Sequence, residues 1–89
     1  MSALTENAAP APFTDEEFRD TLRELPPSAK LVAKVLEDDA PLSQGDLAES
    51  SLLPDRTVRY ALNRLEESGL VDSRYSFTDA RKQVYFLTV

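Results

Sequence analysis

Residues 53–71 constrain the fold more than any other part of this 89-residue chain. Between residues 54 and 68 the apolar positions recur at helical spacing, so one stripe of the predicted helix must face a core. Gly69 follows a full helical period and suits the left-handed residue that ends a helix, with Leu70 folding back on it. After Leu70 the apolar period changes from 3.6 to 2, which indicates strands. The stripe consists of Val58, Ala61, Leu62 and Leu65.

The opposite side of the predicted 54–68 helix carries hydrogen-bond donors. Residues about 100° apart around the axis bring polar side chains together over the first three turns. Arginine can donate two hydrogen bonds to guanine, asparagine can pair with an adenine edge, and both can hold phosphate. This face therefore predicts a recognition helix for the DNA major groove, the alternative being an ordinary solvated helix face. Its residues are Arg56, Arg59, Tyr60 and Asn63.

The composition argues against catalysis. The chain has no cysteine and no histidine, which excludes disulfides, thiolate metal sites, cysteine nucleophiles and histidine bases. Its carboxylates show no acid/base or metal-binding spacing. We therefore expect no enzyme, no cofactor and no small-molecule ligand. No apolar run approaches membrane-spanning length and no signal peptide is visible, so we expect no membrane partner and a cytoplasmic, nucleoid-associated protein.

The net charge of −6 is unevenly distributed along the chain. Two basic residues face six acidic ones in residues 1–24, and two face five in residues 25–50. Residues 51–89 hold six basic against five acidic residues, so the part with the predicted recognition helix is mildly basic, and the local field steers a polyanion. The acidic surplus, with seven arginines against three lysines, resembles the proteins of salt-loving archaea and predicts such a source.

The N-terminal part divides into a tail and a helix. Residues 1–12 are rich in Ala and Pro and predict a disordered tail. Thr14 and Glu17 have the spacing of a capping box, and Phe13 before them can pack on Phe18 as a hydrophobic staple. The predicted 13–25 helix then carries Phe18, Leu22 and Leu25 on a narrow stripe. This stripe either covers the core of the domain or forms a dimer contact.

Residues 26–89 predict a second set of elements. A helix starts at Pro27 or Ser28, residues 41–42 form a brief extended piece able to pair with a later strand, and Ser43 caps a helix over residues 44–50. Alternating residues 71–77 and the β-rich segment 83–89 predict a hairpin around a polar loop, 78–82. Most of the hairpin aromatics are expected in the core: Tyr75, Phe77, Tyr85 and Phe86.

The order helix, short strand, helix, turn, helix, hairpin is that of a winged helix-turn-helix, a mainly α fold with a β-hairpin wing (α+β). Over residues 26–88 the sequence resembles the DNA-binding core of MarR-type and related archaeal transcriptional regulators. One specific part of this resemblance lies in the predicted 54–68 helix and the turn after it. It consists of Thr57-Val58, Arg64-Leu65-Glu66-Glu67 and Gly69-Leu70-Val71. The other is the wing signature Asp79-x-Arg81, followed by Val84 and Leu87-Thr88.

The resemblance implies a sequence-specific, DNA-binding transcriptional regulator whose partner is double-stranded DNA. In such regulators the helix matching residues 54–68 enters the major groove. The arginine matching Arg81 reaches from the wing toward the minor groove, and the aspartate matching Asp79 steadies the wing. Together with the donor face, the expected DNA contacts are Arg56, Thr57, Arg59, Tyr60, Asn63, Arg64, Arg81 and Lys82.

The sequence departs from the family pattern at two places. Where the family commonly has glycine in the helix-turn-helix corner, this chain has Leu52, which predicts strain if that residue needs a positive φ. Family members usually continue past the wing into long dimerising helices, whereas this chain ends at Val89. We therefore expect a homodimer formed through the 13–25 helix or the wing strands, the helix contributing Phe13, Phe18, Leu22 and Leu25.

A second function fits the same fold. Winged helices also serve as protein–protein interaction modules in larger assemblies, and the acidic front half and the hairpin aromatics favour that alternative, since aromatic side chains are frequent interface anchors.

Overall fold

The computed structural model describes residues 14–88. Within them the order of elements confirms the predicted winged helix-turn-helix, an α+β fold. The helices are α1 (Asp15–Arg23), α2 (Pro27–Asp39), α3 (Gln44–Ser51) and α4 (Asp55–Glu67), and the strands are β1 (Leu42–Ser43), β2 (Val71–Tyr75) and β3 (Gln83–Leu87). The predicted tail, residues 1–12, and the staple through Phe13 lie outside the described residues.

The core forms where the apolar stripe of α4 packs on α2. All four predicted stripe residues of α4 are at most 2% exposed, which confirms the direction of the helix. Each large aliphatic side chain buried in this way contributes roughly 1.5 to 3 kcal/mol relative to an exposed one. The partners on α2 and α3 are Ala29, Val32, Ala33, Leu36 and Leu47.

Two helices begin with capping boxes. At α1 the Glu17 amide donates to the Thr14 hydroxyl at 3.1 Å and the Thr14 amide donates to the Glu17 carboxylate at 3.0 Å. At α3 the Asp46 amide donates to the Ser43 hydroxyl at 3.1 Å, and the Ser43 amide donates to the Asp46 carboxylate at 3.3 Å. These bonds satisfy N–H groups that a helix start leaves without a partner. Both predicted starts are confirmed.

Helices α3 and α4 are each followed by a residue with a left-handed backbone conformation. Gly69, with φ of 79°, follows α4, where its amide donates to the Glu66 carbonyl and the Leu70 amide donates to the Leu65 carbonyl, both at 3.0 Å. This is a Schellman motif, in which glycine avoids the clash of a Cβ. Leu52 ends α3 with φ of 63°. The strain anticipated at the helix-turn-helix corner is therefore present.

The strands form one antiparallel sheet in the order β1-β3-β2. Leu42 pairs with Tyr85, which confirms that the short extended piece before α3 joins a later strand. Strand β2 ends at Tyr75, so the loop runs over residues 76–82 and is longer than predicted. Hydrogen bonds between Ser76 and Thr78 turn the chain there and remove Phe77 from the predicted strand.

The expectation that most hairpin aromatics lie in the core is wrong. The side chains of Tyr75 and Phe77 are 63% and 94% exposed, and Tyr85 and Phe86 are half-buried. Strand β2 buries only Val71, its first residue. The helices thus cover the base of the hairpin and leave its far end in solvent. Alternation marks two faces of a strand, but it does not say how far a covering layer extends along them.

Candidate nucleic-acid interface

The face of α4 opposite the core presents the predicted donors to solvent. Arg56, Arg59 and Asn63 are exposed, and Tyr60 is 48% exposed. Their outward direction follows from the complete burial of the opposite stripe, because the two sets of residues share one rigid helix. The structure therefore brings the predicted donors of α4 onto one accessible surface.

Arg64 lies one turn beyond Tyr60 and is held by two neighbours. Its Nη1 donates to the Tyr60 hydroxyl at 3.0 Å, and its Cζ lies 5.9 Å from the centre of the Tyr60 ring. Its Nε lies 3.9 Å from the Glu67 carboxylate. Arg64 therefore orients the tyrosine ring on the helix face, a role in addition to the direct DNA contact predicted for it.

The start of α4 suits a phosphate. Pro54 is the N-cap, and its side chain offers no hydrogen-bond acceptor to the first turn. The amide groups of a helix start attract anions because they carry the positive end of the helix dipole. Thr57, half-buried in this turn, is placed beside them. The Gln44 side chain donates to the Asp55 carbonyl at 3.4 Å, which joins α3 to the same point.

The wing loop presents two cations at its tip. Asp79 accepts from the Arg81 amide at 3.0 Å and from the Arg81 Nε at 3.4 Å, and its carbonyl accepts from the Lys82 amide at 2.9 Å. This arrangement matches the steadying role that the resemblance implies for Asp79. The Arg81 side chain is still 92% exposed, so its guanidinium is accessible to a ligand.

An open groove of about 580 Å³ lies between the start of α3, the helix α4 and the wing. It joins Arg59 of the helix to Arg81 and Lys82 of the wing. Arg56, Tyr60 and Asn63 do not line this groove and extend the donor surface along α4. The groove therefore connects one predicted contact of α4, Arg59, with the two predicted contacts of the wing.

Sequence patterns did not identify the other residues that line the groove. Asp46 and Tyr85 are two of them, together with Gln44, Glu49 and Gln83. Hydrogen bonds from the Ser43 backbone and side chain, with a smaller effect of Lys82, lower the pKa of Asp46. Burial raises the pKa of Tyr85, and nearby Glu66 raises it further. The sequence identified Ser43 as the cap of this helix, but no local pattern could show that the start of α3 faces the wing.

The residues predicted to mediate dimerisation have a place in this chain's own core. Phe18 and Leu25 are 6% and 7% exposed, and Leu22 is half-buried against the same core. Of the predicted dimer residues on α1, only Leu22 thus offers apolar surface to a partner. Phe13 lies outside the described residues.

Residues 14–88 contain neither a metal-binding cluster nor a membrane-spanning helix. No group of three or more histidine, cysteine, aspartate or glutamate side chains in this range could hold a metal ion. No helix in the same range has the length and apolar character needed to cross a membrane.

Comparison with known proteins supports the winged helix-turn-helix fold. Residues 33–72, somewhat less than half of the chain, match a family model described as winged helix-turn-helix DNA-binding. No curated protein sequence matches the chain.

Solved structures with a similar fold include transcriptional regulators. Bordetella bronchiseptica BpsR, whose DNA binding is described as regulated by 6-hydroxynicotinic acid, has a TM-score of 0.70 at 26% identity over 80% of this chain and 52% of its own. Staphylococcus aureus MepR in complex with DNA has a TM-score of 0.69 at 22% identity, over 83% and 64% respectively. A MarR family transcription regulator gives 0.70 at 22% identity, over 79% and 47%. The chain thus spans about half the length of two of these structures, 52% of BpsR and 47% of the MarR family regulator.

Proposed function

We propose that this chain is a sequence-specific, DNA-binding transcriptional regulator related to the MarR family. Helix α4 enters the major groove, and the wing loop, residues 78–82, contacts the backbone or the minor groove. The observation that carries this proposal is the concave surface on which Arg59, Arg81 and Lys82 converge beside the donor face of α4. A winged helix with that surface has the shape and charge to bind a duplex.

Each part of the surface has a distinct task. Arg56, Arg59 and Asn63 would contact base edges, since their exposed ends donate hydrogen bonds in the patterns that guanine and adenine accept. Thr57, Arg81 and Lys82 would hold phosphates and fix the register of the protein on the duplex. Tyr60, oriented by Arg64, would contact the backbone or a base beside them. We infer a binding role and not catalysis, because the chain lacks both cysteine and histidine.

The first experiment is the selection of bound duplexes from a random pool. The native chain is compared with an Arg56→Ala, Arg59→Ala double variant and with a control of equal charge, Lys30→Ala, Lys34→Ala, altered on the exposed side of α2. We expect one enriched sequence for the native chain and the control, and its loss in the α4 variant. Enrichment of the same sequence by the α4 variant, or no enrichment by the native chain, would refute the proposal.

We further propose that the protein binds DNA as a homodimer through α1. The first turn of α1 holds Asp15, Glu16 and Glu17, and its last turn holds Arg23, so in two antiparallel copies the Arg23 of one would lie near the acidic first turn of the other. An enriched palindrome would support this arrangement, and its half-site spacing would report the dimer geometry. A monomer in sedimentation, with and without its DNA site, would contradict it.

The acidic composition supports a source in a salt-loving archaeon, and the proposed DNA binding would place the protein on the nucleoid in the cytoplasm. High internal salt screens phosphate contacts, so such a protein depends more on base contacts than a relative adapted to dilute salt. Equal stability in dilute buffer and in molar salt would contradict a halophilic source.

The second candidate is a protein–protein interaction module. The exposed aromatic side chains of Tyr75 and Phe77 favour it, because aromatic residues often anchor interfaces. If neither the native chain nor any variant enriches a duplex sequence from the random pool, this candidate is favoured over the regulator.

A further inference from the structure

The wing loop carries one large apolar side chain that the fold does not use. The Phe77 side chain is 94% exposed, at the far end of the hairpin from the buried Val71. A single exposed apolar residue is common on protein surfaces and has no meaning by itself. The surroundings of Phe77 are what distinguish it.

Phe77 is held in place by its neighbours. The Arg74 guanidinium carbon lies 5.2 Å from the centre of the Phe77 ring and 5.9 Å from that of Phe86. At these distances a cation is attracted to the face of an aromatic ring. The Ser76 and Thr78 hydroxyls lie 2.9 Å apart, and the Thr78 amide donates to the Ser76 hydroxyl at 3.2 Å. These hydrogen bonds shape the turn that presents the ring.

The ring lies on the face of the hairpin that carries Arg74 and Val84, and it shares two neighbours with the groove proposed to bind DNA. Phe77 lines a hollow of about 330 Å³ beneath the wing, together with Asp46 and Lys82. Asp46 and Lys82 also line the groove that contains Arg59. Arg74 and Lys82 both line the hollow of Phe77, and Arg81 is the residue before Lys82. Two cations, Arg74 and Lys82, thus lie beside an exposed aromatic ring, and this combination suits a polyanion that also offers apolar surface.

The minor groove of DNA offers that combination. It is roughly 6 Å wide and bounded by phosphates, and its walls and floor are sugars and base edges. Proteins that bind it often insert an apolar wedge, such as phenylalanine, at a base step, which partly unstacks the bases and kinks the duplex.

We propose that Phe77 enters the minor groove as such a wedge when the wing binds DNA, with Arg74 as the positioning residue that holds the ring. Arg81 and Lys82 bind the phosphates on either side, and the ring distorts the base step between them. The wing then contributes to site preference through the ease with which a sequence can be deformed. This inference rests on the proposed function.

The experiment measures binding and base stacking with the duplex selected above. The native chain is compared with Phe77→Ala, Arg74→Lys and Lys82→Ala, and with Leu31→Ala as a control that removes an exposed apolar side chain from α2. Affinity is measured over a series of salt concentrations. An adenine of the wing-contacted step is replaced by 2-aminopurine, whose fluorescence rises when it unstacks.

Phe77 and Lys82 should differ in the salt dependence of binding. We expect Phe77→Ala to weaken binding about tenfold, within the range for loss of one aromatic–base contact, at an unchanged slope of log affinity against log salt. Lys82→Ala should reduce the slope by about 1, because one phosphate contact is lost. The fluorescence increase should disappear in Phe77→Ala and persist in Lys82→Ala and Leu31→Ala.

Arg74→Lys tests the positioning role. Lysine keeps the charge but lacks the planar guanidinium that stacks on a ring. We expect a weaker fluorescence increase at an unchanged salt slope.

Two results would overturn the inference and can be told apart. If the native chain binds DNA through Arg59 but Phe77→Ala binds equally well and unstacks the same base, the wedge is absent and Phe77 is free for a protein partner. If the native chain binds no duplex, the proposed function fails and the wedge fails with it. Because Phe77 is exposed, its replacement should leave the folded structure intact, which circular dichroism can verify.

Discussion

Helix α4 and the wing contribute to the same surface, but they are stabilised in different ways. Behind the exposed donors of α4 lies a stripe of four side chains that are almost completely buried. Strand β2 buries only Val71, and beyond it the wing is held by strand pairing and by hydrogen bonds within its loop. The helix is therefore a rigid element on a core, whereas the wing is an extension from it. Rigid placement suits base reading, which depends on fixed geometry, and a phosphate contact tolerates more freedom.

The largest expected effect tests this difference in stability. Leu65→Ala removes a side chain that is 0% exposed and should lower the free energy of unfolding by about 2 to 5 kcal/mol, because a cavity remains. Phe86→Ala, which truncates a half-buried wing residue, should cost less than half as much. Urea denaturation followed by circular dichroism measures both values. Equal losses would show that the wing is part of the core.

The next effect separates base reading from phosphate binding. Arg59→Ala should cost about 1 to 3 kcal/mol of binding free energy on the preferred duplex and relax the preference at one base pair. Lys82→Ala should weaken binding to every sequence by a similar factor. Competition titrations with single-base variants of the selected site distinguish the two. A loss for Arg59→Ala that is the same on all duplexes would assign the arginine to phosphate.

A smaller effect concerns the two residues with a left-handed backbone conformation, Leu52 after α3 and Gly69 after α4. Gly69→Ala should destabilise the fold by about 1 kcal/mol, since a Cβ is strained at positive φ, and Leu52→Gly should stabilise it by a similar amount. Thermal unfolding at fixed salt measures both changes. Ser50→Gly, within α3 and outside the corner, serves as the control and should destabilise. A destabilised Leu52→Gly variant would show that the leucine side chain has a role that outweighs its strain.

The sequence predicted the helical part of the fold because its patterns are local. The stripe of α4, the capping box of Thr14 and Glu17, the Ser43 cap and Gly69 each depend on residues close together in the sequence, and each was confirmed. The winged helix-turn-helix order followed from these elements. The donor face of α4 was found for the same reason, since burial of one side of a helix determines the direction of the other.

The wing was less predictable because its surroundings depend on distant parts of the chain. Periodicity placed Phe77 in a strand, but hydrogen bonds between Ser76 and Thr78 bend the chain there. It also could not show that the hairpin extends beyond the helices, so the exposure of Tyr75 was missed. Asp46 lines the groove because α3 and the wing lie close together. No local sequence pattern predicts this contact between distant parts of the chain.

The smallest expected effect concerns Asp46, which lies where the start of α3 meets the wing. The Ser43 N–H donates to its carboxylate and lowers its pKa, so ionised Asp46 stabilises the fold above the pKa of an unfolded aspartate, about 3.9. This stabilisation declines as the pH falls below that value and is lost once the pH is below the lowered folded-state pKa.

Asp46→Asn should remove this part of the pH dependence, whereas Asp38→Asn, in the last turn of α2, should retain it. Unfolding free energies between about pH 6 and pH 2 test this, since the linkage extends over the range between the two pKa values. Parallel curves for the native chain and Asp46→Asn would show that the carboxylate gains nothing from its position between helix and wing.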